Sequence, residues 1–142
     1  MALIQYIYTS VLDVQTTPKQ AETACLLSAA LCRKFGITGR VFTNCQQALA
    51  IIEGPDEVAT RYFKAVTNDP MSASAILHVK RSIPAREFPE FIVLLNSGEP
   101  FKGDDYVQLL TPESLQNAWP ENLSAKVRIL AEAYLDPDML KP

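Results

Sequence analysis

This 142-residue chain has one histidine and three cysteines, and no two cysteines form a CxxC pair. With His78 alone and no cysteine cluster, a structural zinc site is not expected. Cys25 and Cys32 fall on one predicted helix, ~10 Å apart along its axis, too far for a disulfide. Unpaired cysteines suit a reducing compartment, so a cytoplasmic protein is expected. The chain also lacks any block of Lys or Arg, and its net charge is −3, which argues against nucleic acid as a partner. No apolar run reaches the roughly 18 residues that span a bilayer. Met1-Ala2-Leu3-Ile4-Gln5-Tyr6 has no basic segment ahead of its apolar stretch and reads as a strand, not as a signal peptide. No membrane partner is expected. Internal repeats and low-complexity stretches are absent. So is any Ser-His, Cys-His or paired-carboxylate constellation, and catalysis is not expected. Asp104-Asp105 reads as a solvated loop pair and not a calcium site.

What is present is ordinary for a soluble globular domain with a core of its own: 48% hydrophobic and 20% charged residues. Residues 2–9 read as a buried strand. Thr17-Pro18-Lys19-Gln20 is a capping box with proline in the first turn. It opens a helix on which Ala21, Ala24, Ser28, Leu31 and Phe35 recur at helical spacing, and Gly36 is its left-handed stop. Gly39 to Asn44 and Ala48 to Ile52 read as strands joined by a turn at Asn44-Cys45-Gln46. Gly54-Pro55-Asp56 starts a second helix with Val58, Tyr62, Ala65 and Val66 on one face, closed by Asn68-Asp69-Pro70. Ala75 to Arg81 alternates, with Leu77 and Val79 expected on one side and His78 and Lys80 on the other. On that face His78 reads as a surface residue. Phe91 to Leu95 is apolar enough for the centre of a sheet.

Residues 96–110 read as a loop. Thr111-Pro112 caps a short helix, and Leu123, Val127, Leu130, Ala131 and Tyr134 form an amphipathic stripe on a last one. The expected fold is α+β: a ferredoxin-like βαββαββ sandwich, with a five-stranded mixed sheet, two helices on one face and a C-terminal helical extension. Residues 1–96 are expected to form the domain. Residues 97–142 are the extension, packing on the sheet's other face or on a partner. Phe91–Leu95 and the stripe 123–134 are expected to leave apolar surface for self-association into a homo-oligomer.

Tyr8 on the first strand, Phe35-Gly36-Ile37-Thr38-Gly39, Ala50-Ile51-Ile52-Glu53-Gly54-Pro55 at the matching spacing, and Arg86-Glu87-Phe88 together resemble the BLUF family. These are small flavin domains that sense blue light. The resemblance covers roughly residues 2–95. It implies a flavin pocket with Tyr8, Cys32, Ala50, Val66 and Asp69 at ligand positions. Tyr8 matches the photoactive tyrosine, Asp69 is retained, and Val66 is the branched apolar residue that sandwiches the ring, with Ala24 as its partner.

The remaining positions depart from the family. Its asparagine pair falls on Leu31 and Cys32, its bridging glutamine on Ala50 and its basic residue late in the second helix on Ala65. The Arg-His after the Asp-Pro corner falls on Met71 and Ser72. The tryptophan and methionine of the last strand fall on Phe91 and Val93. In the family, light drives electron and proton transfer from the tyrosine, and the glutamine amide rearranges its hydrogen bonds. Alanine has no donor or acceptor with which to do so.

Two functional readings follow from the resemblance. One is a non-enzymatic regulatory or protein-interaction module that has lost flavin and photoactivity, with no cofactor expected. The other is a divergent FAD-binding photoreceptor using Tyr8. A third reading puts a different small ligand in a pocket widened by Ala24, Ala48, Ala50 and Ala65. Against it stands collapse of Leu31, Phe35 and Phe91 into that space. Each site residue also has a plain structural reading: Tyr8 as a core tyrosine, Cys32 as a small buried hydrophobe, Asp69 as the end of a helix.

Overall fold

The computed structural model describes residues 2–12, 17–69 and 72–141, with the backbone alone at 72 and 73. Its elements are β1 (Leu3–Leu12), α1 (Pro18–Lys34), β2 (Thr38–Thr43), β3 (Gln47–Pro55), α2 (Asp56–Thr67), β4 (Ser72–Ile83), β5 (Phe91–Leu95), β6 (Val107–Leu109), α3 (Pro112–Asn117), α4 (Ala125–Tyr134) and a closing 3-10 turn, Pro137–Leu140. The fold is the α+β, ferredoxin-like arrangement expected. Its sheet has six strands in the order β4-β1-β3-β2-β5-β6, one more than expected. The sixth lies inside the segment read as a loop. At three residues it is too short for periodicity to reveal, and it exists because Val107 pairs in parallel with Val93.

Local chemistry sets most boundaries. Thr17 accepts from the Gln20 N–H while the Gln20 side chain accepts from the Thr17 N–H, satisfying two orphan donors at the start of α1. Gly36 ends that helix at φ +76°. Asn44 Oδ1 accepts from the N–H groups of Gln46 and Gln47, which closes the β2–β3 turn and holds Cys45 at φ +73°. Gly39 is a tighter constraint. Its φ is +144°, and a Cβ there would lie 1.9 Å from the Ile51 carbonyl oxygen on the neighbouring strand.

Two apolar layers enclose the sheet. Over one face lie α1 and α2, packed on Tyr6, Tyr8, Ala50, Ile52, Phe91 and Val93. Over the other lies the C-terminal segment: Leu110, Ala118, Val127, Ala131 and Met139 pack on Ile7, Phe42, Leu49, Ile51 and Leu94. Of the segments expected to leave apolar surface, β5 is covered by the chain itself, and the stripe 123–134 is covered in part, with Leu123 and Leu130 half-buried and Tyr134 exposed. Phe91, Val93, Leu94 and Leu95 lie within the core, as do Val127 and Ala131. β5 is next to the edge strand, not central. Its apolarity reflects burial on both faces.

A polar network ties the layers together. Glu53, fully buried, accepts from the N–H groups of Glu87 and Phe88 and from Gln5 Nε2. Glu87 in turn accepts from Arg81 and from the Ser124 N–H at the start of α4. Arg40, also buried, donates to the carbonyls of Ala118, Gly39 and Glu90 and to the Glu90 carboxylate. Burial lowers its pKa, and Glu90 opposes the effect.

Three expected faces are corrected. On α1 the inward residues are Ala21, Ala29 and Cys32, whereas Leu31 and Phe35 are 45% and 56% exposed. Small side chains let the helix approach the sheet, and the large ones turn outward. On α2 the packed residues are Val58, Ala59, Tyr62, Phe63 and Val66, and Ala65 is exposed. On β4 the pairing slips between Ile7 and Tyr8: Ile7 faces Val79 and Tyr8 faces Leu77. His78 is the extra residue of this bulge, so Leu77 and Val79 lie on opposite faces. His78 is half-buried, hydrogen-bonded to Thr9 Oγ1 at 2.8 Å and stacked on the Tyr134 ring with centroids 3.8 Å apart. Sequence alternation assigned it to the open surface.

Candidate functional site

The two helices stand over different parts of the sheet, α1 on β5 and β6 and α2 on β1, β3 and β4. Between them lies a cavity of about 210 Å³. Period-two alternation points Tyr8, Ser10 and Leu12 of β1 into it, with Ala48 and Ala50 of β3, Val41 and Thr43 of β2 and Val93 of β5. α1 contributes Ala21, Ala24, Cys25 and Ser28, and α2 contributes Tyr62 and Val66, with Asp69 just beyond its end.

Four of the five site residues read from the sequence meet here: Tyr8, Ala50, Val66 and Asp69. Ala50 lies directly opposite Tyr8 in the β1–β3 register. Asp69 is exposed. Cys32, the fifth, is buried one turn past Ser28, against Tyr62 and Ser28, and does not line the cavity. Ala24 and Ala48 line it as expected, and Ala65 does not. Leu31, Phe35 and Phe91 do not fill the space: the first two are exposed and Phe91 is packed in the core. Met71 lies outside the described residues, as do Pro70 and the side chain of Ser72.

Sequence reading missed Ser10 and Thr43 as site residues. Their signal is simple alternation, since Ser10 is two residues from Tyr8 and Thr43 two from Val41. Cys25 was legible only once α1 was rotated correctly, whereas Tyr62 already stood on the face of α2 expected to pack.

The cavity's chemistry is that of neutral hydroxyls and thiols. Ser28 Oγ and the Tyr62 hydroxyl lie 3.1 Å apart, and Thr43 Oγ1 donates to the Gln47 carbonyl at 2.9 Å. The edge of the Tyr8 ring meets Phe63 with centroids 5.1 Å apart. The Tyr8 hydroxyl and Ser10 Oγ make no hydrogen bond among the described residues. Burial, and secondarily Cys32, pushes the Tyr8 phenol well above its ordinary pKa. Burial raises Tyr62 in the same way, with Tyr8 and Cys32 adding to the effect. The Cys25 thiol is pushed up to about 12 by burial, and then by Cys45 and Glu22. Cys32 is pushed up to about 11 by burial, against hydrogen bonds from Tyr62 and Ser28 that pull it down. All four groups carry their protons at neutral pH. No His/Cys/Asp/Glu cluster able to hold a metal ion occurs among the described residues.

The sequence model of the BLUF family, sensors of blue-light using FAD, matches residues 3–93, and the chain belongs to that family. No curated protein matches. Among solved structures, the chain is similar to the BLUF protein BlrB in its dark state, with 19% identity and a TM-score of 0.61 over 96% of this chain and 87% of that one. It is similar to the BLUF domain of BlrP1, with 17% identity and a TM-score of 0.67 over 96% and 92%. A complex of Klebsiella pneumoniae BlrP1 with manganese and cyclic diGMP gives 18% identity and a TM-score of 0.68 over 92% of this chain and 32% of that one. A bacterial light-regulated adenylyl cyclase gives 14% and 0.61 over 92% and 32%. The chain thus spans about a third of these longer proteins. At such identities the likeness is one of fold. Among the described residues no helix is long and apolar enough to cross a membrane.

Proposed function

We propose that this chain is a regulatory, protein-interaction module of the BLUF family that neither catalyses a reaction nor answers light through flavin. The observation that carries this reading is the pairing of Tyr8 with Ala50. The group facing the tyrosine is a methyl, with no donor or acceptor to exchange. Leu31, where the family resemblance implies an amide, is solvent-exposed. The cavity, about 210 Å³, is smaller than the ~300–1,000 Å³ usual for cofactor sites.

An isoalloxazine edge buried without partners costs about 1–3 kcal/mol per polar group. Two or three missing partners remove about 3–6 kcal/mol, some two to four decades of affinity. By these criteria the residues present do not fit a flavin. The interaction half of the reading is supported by Leu27, Leu31 and Phe35, which are 61%, 45% and 56% exposed at i, i+4 and i+8 along α1. In this reading residues 1–96 are the module and 97–142 an extension of it, working in the cytoplasm with a protein partner or a second copy of the chain.

The absorption spectrum of the purified protein tests the reading. A colourless sample is the expected result, and a stoichiometric chromophore with flavin bands in the near ultraviolet and blue overturns it. The second reading is a divergent FAD-binding photoreceptor, favoured by Tyr8, Val66 and Asp69 lining one cavity. It requires a reversible red shift of the flavin band when flavin-loaded protein is illuminated.

A further inference from the structure

Tyr8 and Ser10 lie two residues apart on β1 and so share a face. Both line the cavity and are only 3% and 6% exposed. Neither hydroxyl has a hydrogen-bond partner among the described residues, while the neighbouring Ser28, Tyr62 and Thr43 hydroxyls are paired. Two buried donors left open in one cavity are a destabilising arrangement unless something accepts from them.

Size and charge narrow what that is. An apolar cavity of about 150 Å³ takes benzene. At about 210 Å³ this one has room for a single ring with a small substituent. Among the described residues no Lys, Arg or His lines it, so an anion would be buried unpaired. The carboxylate among its lining residues, Asp69, is exposed.

We propose that this cavity binds an uncharged, single-ring molecule bearing one carbonyl-type oxygen. The oxygen accepts from the Tyr8 and Ser10 hydroxyls, and the ring lies against Ala48, Ala50, Val66 and Val93. The inference rests on the reading above that flavin does not hold this space.

The test uses two probes of nearly the same shape, acetophenone and isopropylbenzene, with binding to the purified full chain followed by ligand-observed NMR. Acetophenone is expected to bind more tightly than isopropylbenzene. Tyr8→Phe should weaken acetophenone by up to about ten-fold, the worth of one hydrogen bond, and leave isopropylbenzene unchanged. Ala50→Leu, which fills the cavity, should abolish both. No binding of acetophenone, or equal binding of the two probes to the unaltered chain, overturns the inference, and that comparison needs no variant. The absorption spectrum of the same sample separates the two claims. Flavin bands sink the functional reading, whereas a colourless sample that ignores both probes sinks this inference alone.

Discussion

Tyr8 and Ala50 face each other across β1 and β3, and the cavity that both line gives the Tyr8 hydroxyl no protein partner among the described residues. Space at this pair is itself measurable. Ala50→Leu adds apolar bulk to a void and should stabilise the protein by about 0.5–1 kcal/mol. Ala29→Leu, at a buried position of α1 that does not line the void, should destabilise it by about 1–3 kcal/mol. Urea denaturation compares the two, and equal losses would mean that the cavity is not there.

Gly39 is the least replaceable residue of the sheet. Gly39→Ala puts a methyl 1.9 Å from the Ile51 carbonyl at a φ that L-residues avoid. A loss of about 4 kcal/mol or more, or failure to fold, is expected from circular dichroism and expression in soluble form.

Glu53→Ala should cost about 3–5 kcal/mol. It strips the acceptor from the Glu87 and Phe88 N–H groups and one of the two acceptors from Gln5 Nε2, at a position without exposure. Arg40→Met acts differently. It should free the C-terminal segment, since the Ala118 carbonyl and Glu90 both lose their donor. Faster amide hydrogen exchange across 118–134, with less change in β1 and β3, is the expected signature.

Stability should fall in alkali. The folded Cys32 and Cys25 thiols sit at about 11 and about 12 against 9.0 for an ordinary cysteine. The folded chain therefore holds protons that the unfolded chain releases above about pH 9. Their contribution is complete below that pH and is lost as pH rises through the folded values. The raised Tyr8 and Tyr62 add loss of the same sign at higher pH. Urea midpoints at about pH 7 and about pH 10 should diverge, and less so in a Cys25→Ala, Cys32→Ala chain.

Leu31→Ser and Phe35→Ser should each change stability by less than about 0.5 kcal/mol, because both side chains face solvent. A loss of 2 kcal/mol or more, of the order expected for a core residue, would restore the inward face that helical spacing alone suggested.

Local chemistry was readable from the chain. The Thr17–Gln20 box, the Gly36 stop and the bounds of β5 follow from residues within a few positions of one another. The site residues Tyr8, Ala50, Val66 and Asp69 were legible through the resemblance to the BLUF family, and they converge on one cavity, which the fifth, Cys32, does not line. Periodicity also showed that α1 is amphipathic in principle, but it carries two stripes that could each pass for a core face. One is Ala21, Ala29 and Cys32, and the other is Leu27, Leu31 and Phe35.

What the sequence determined by itself, then, is the order of elements as far as β5, the helix caps and the family to which they belong. Close packing in three dimensions decided the rest. Only the approach of α1 to the sheet selects its small-residue stripe, and only pairing to β5 makes a strand of Val107–Leu109. The bulge at His78 exists because β4 must match the register of β1, and the cavity because the alanines that meet at Tyr8 come from separate elements. Each is a contact between residues far apart in the chain, on which no local propensity acts.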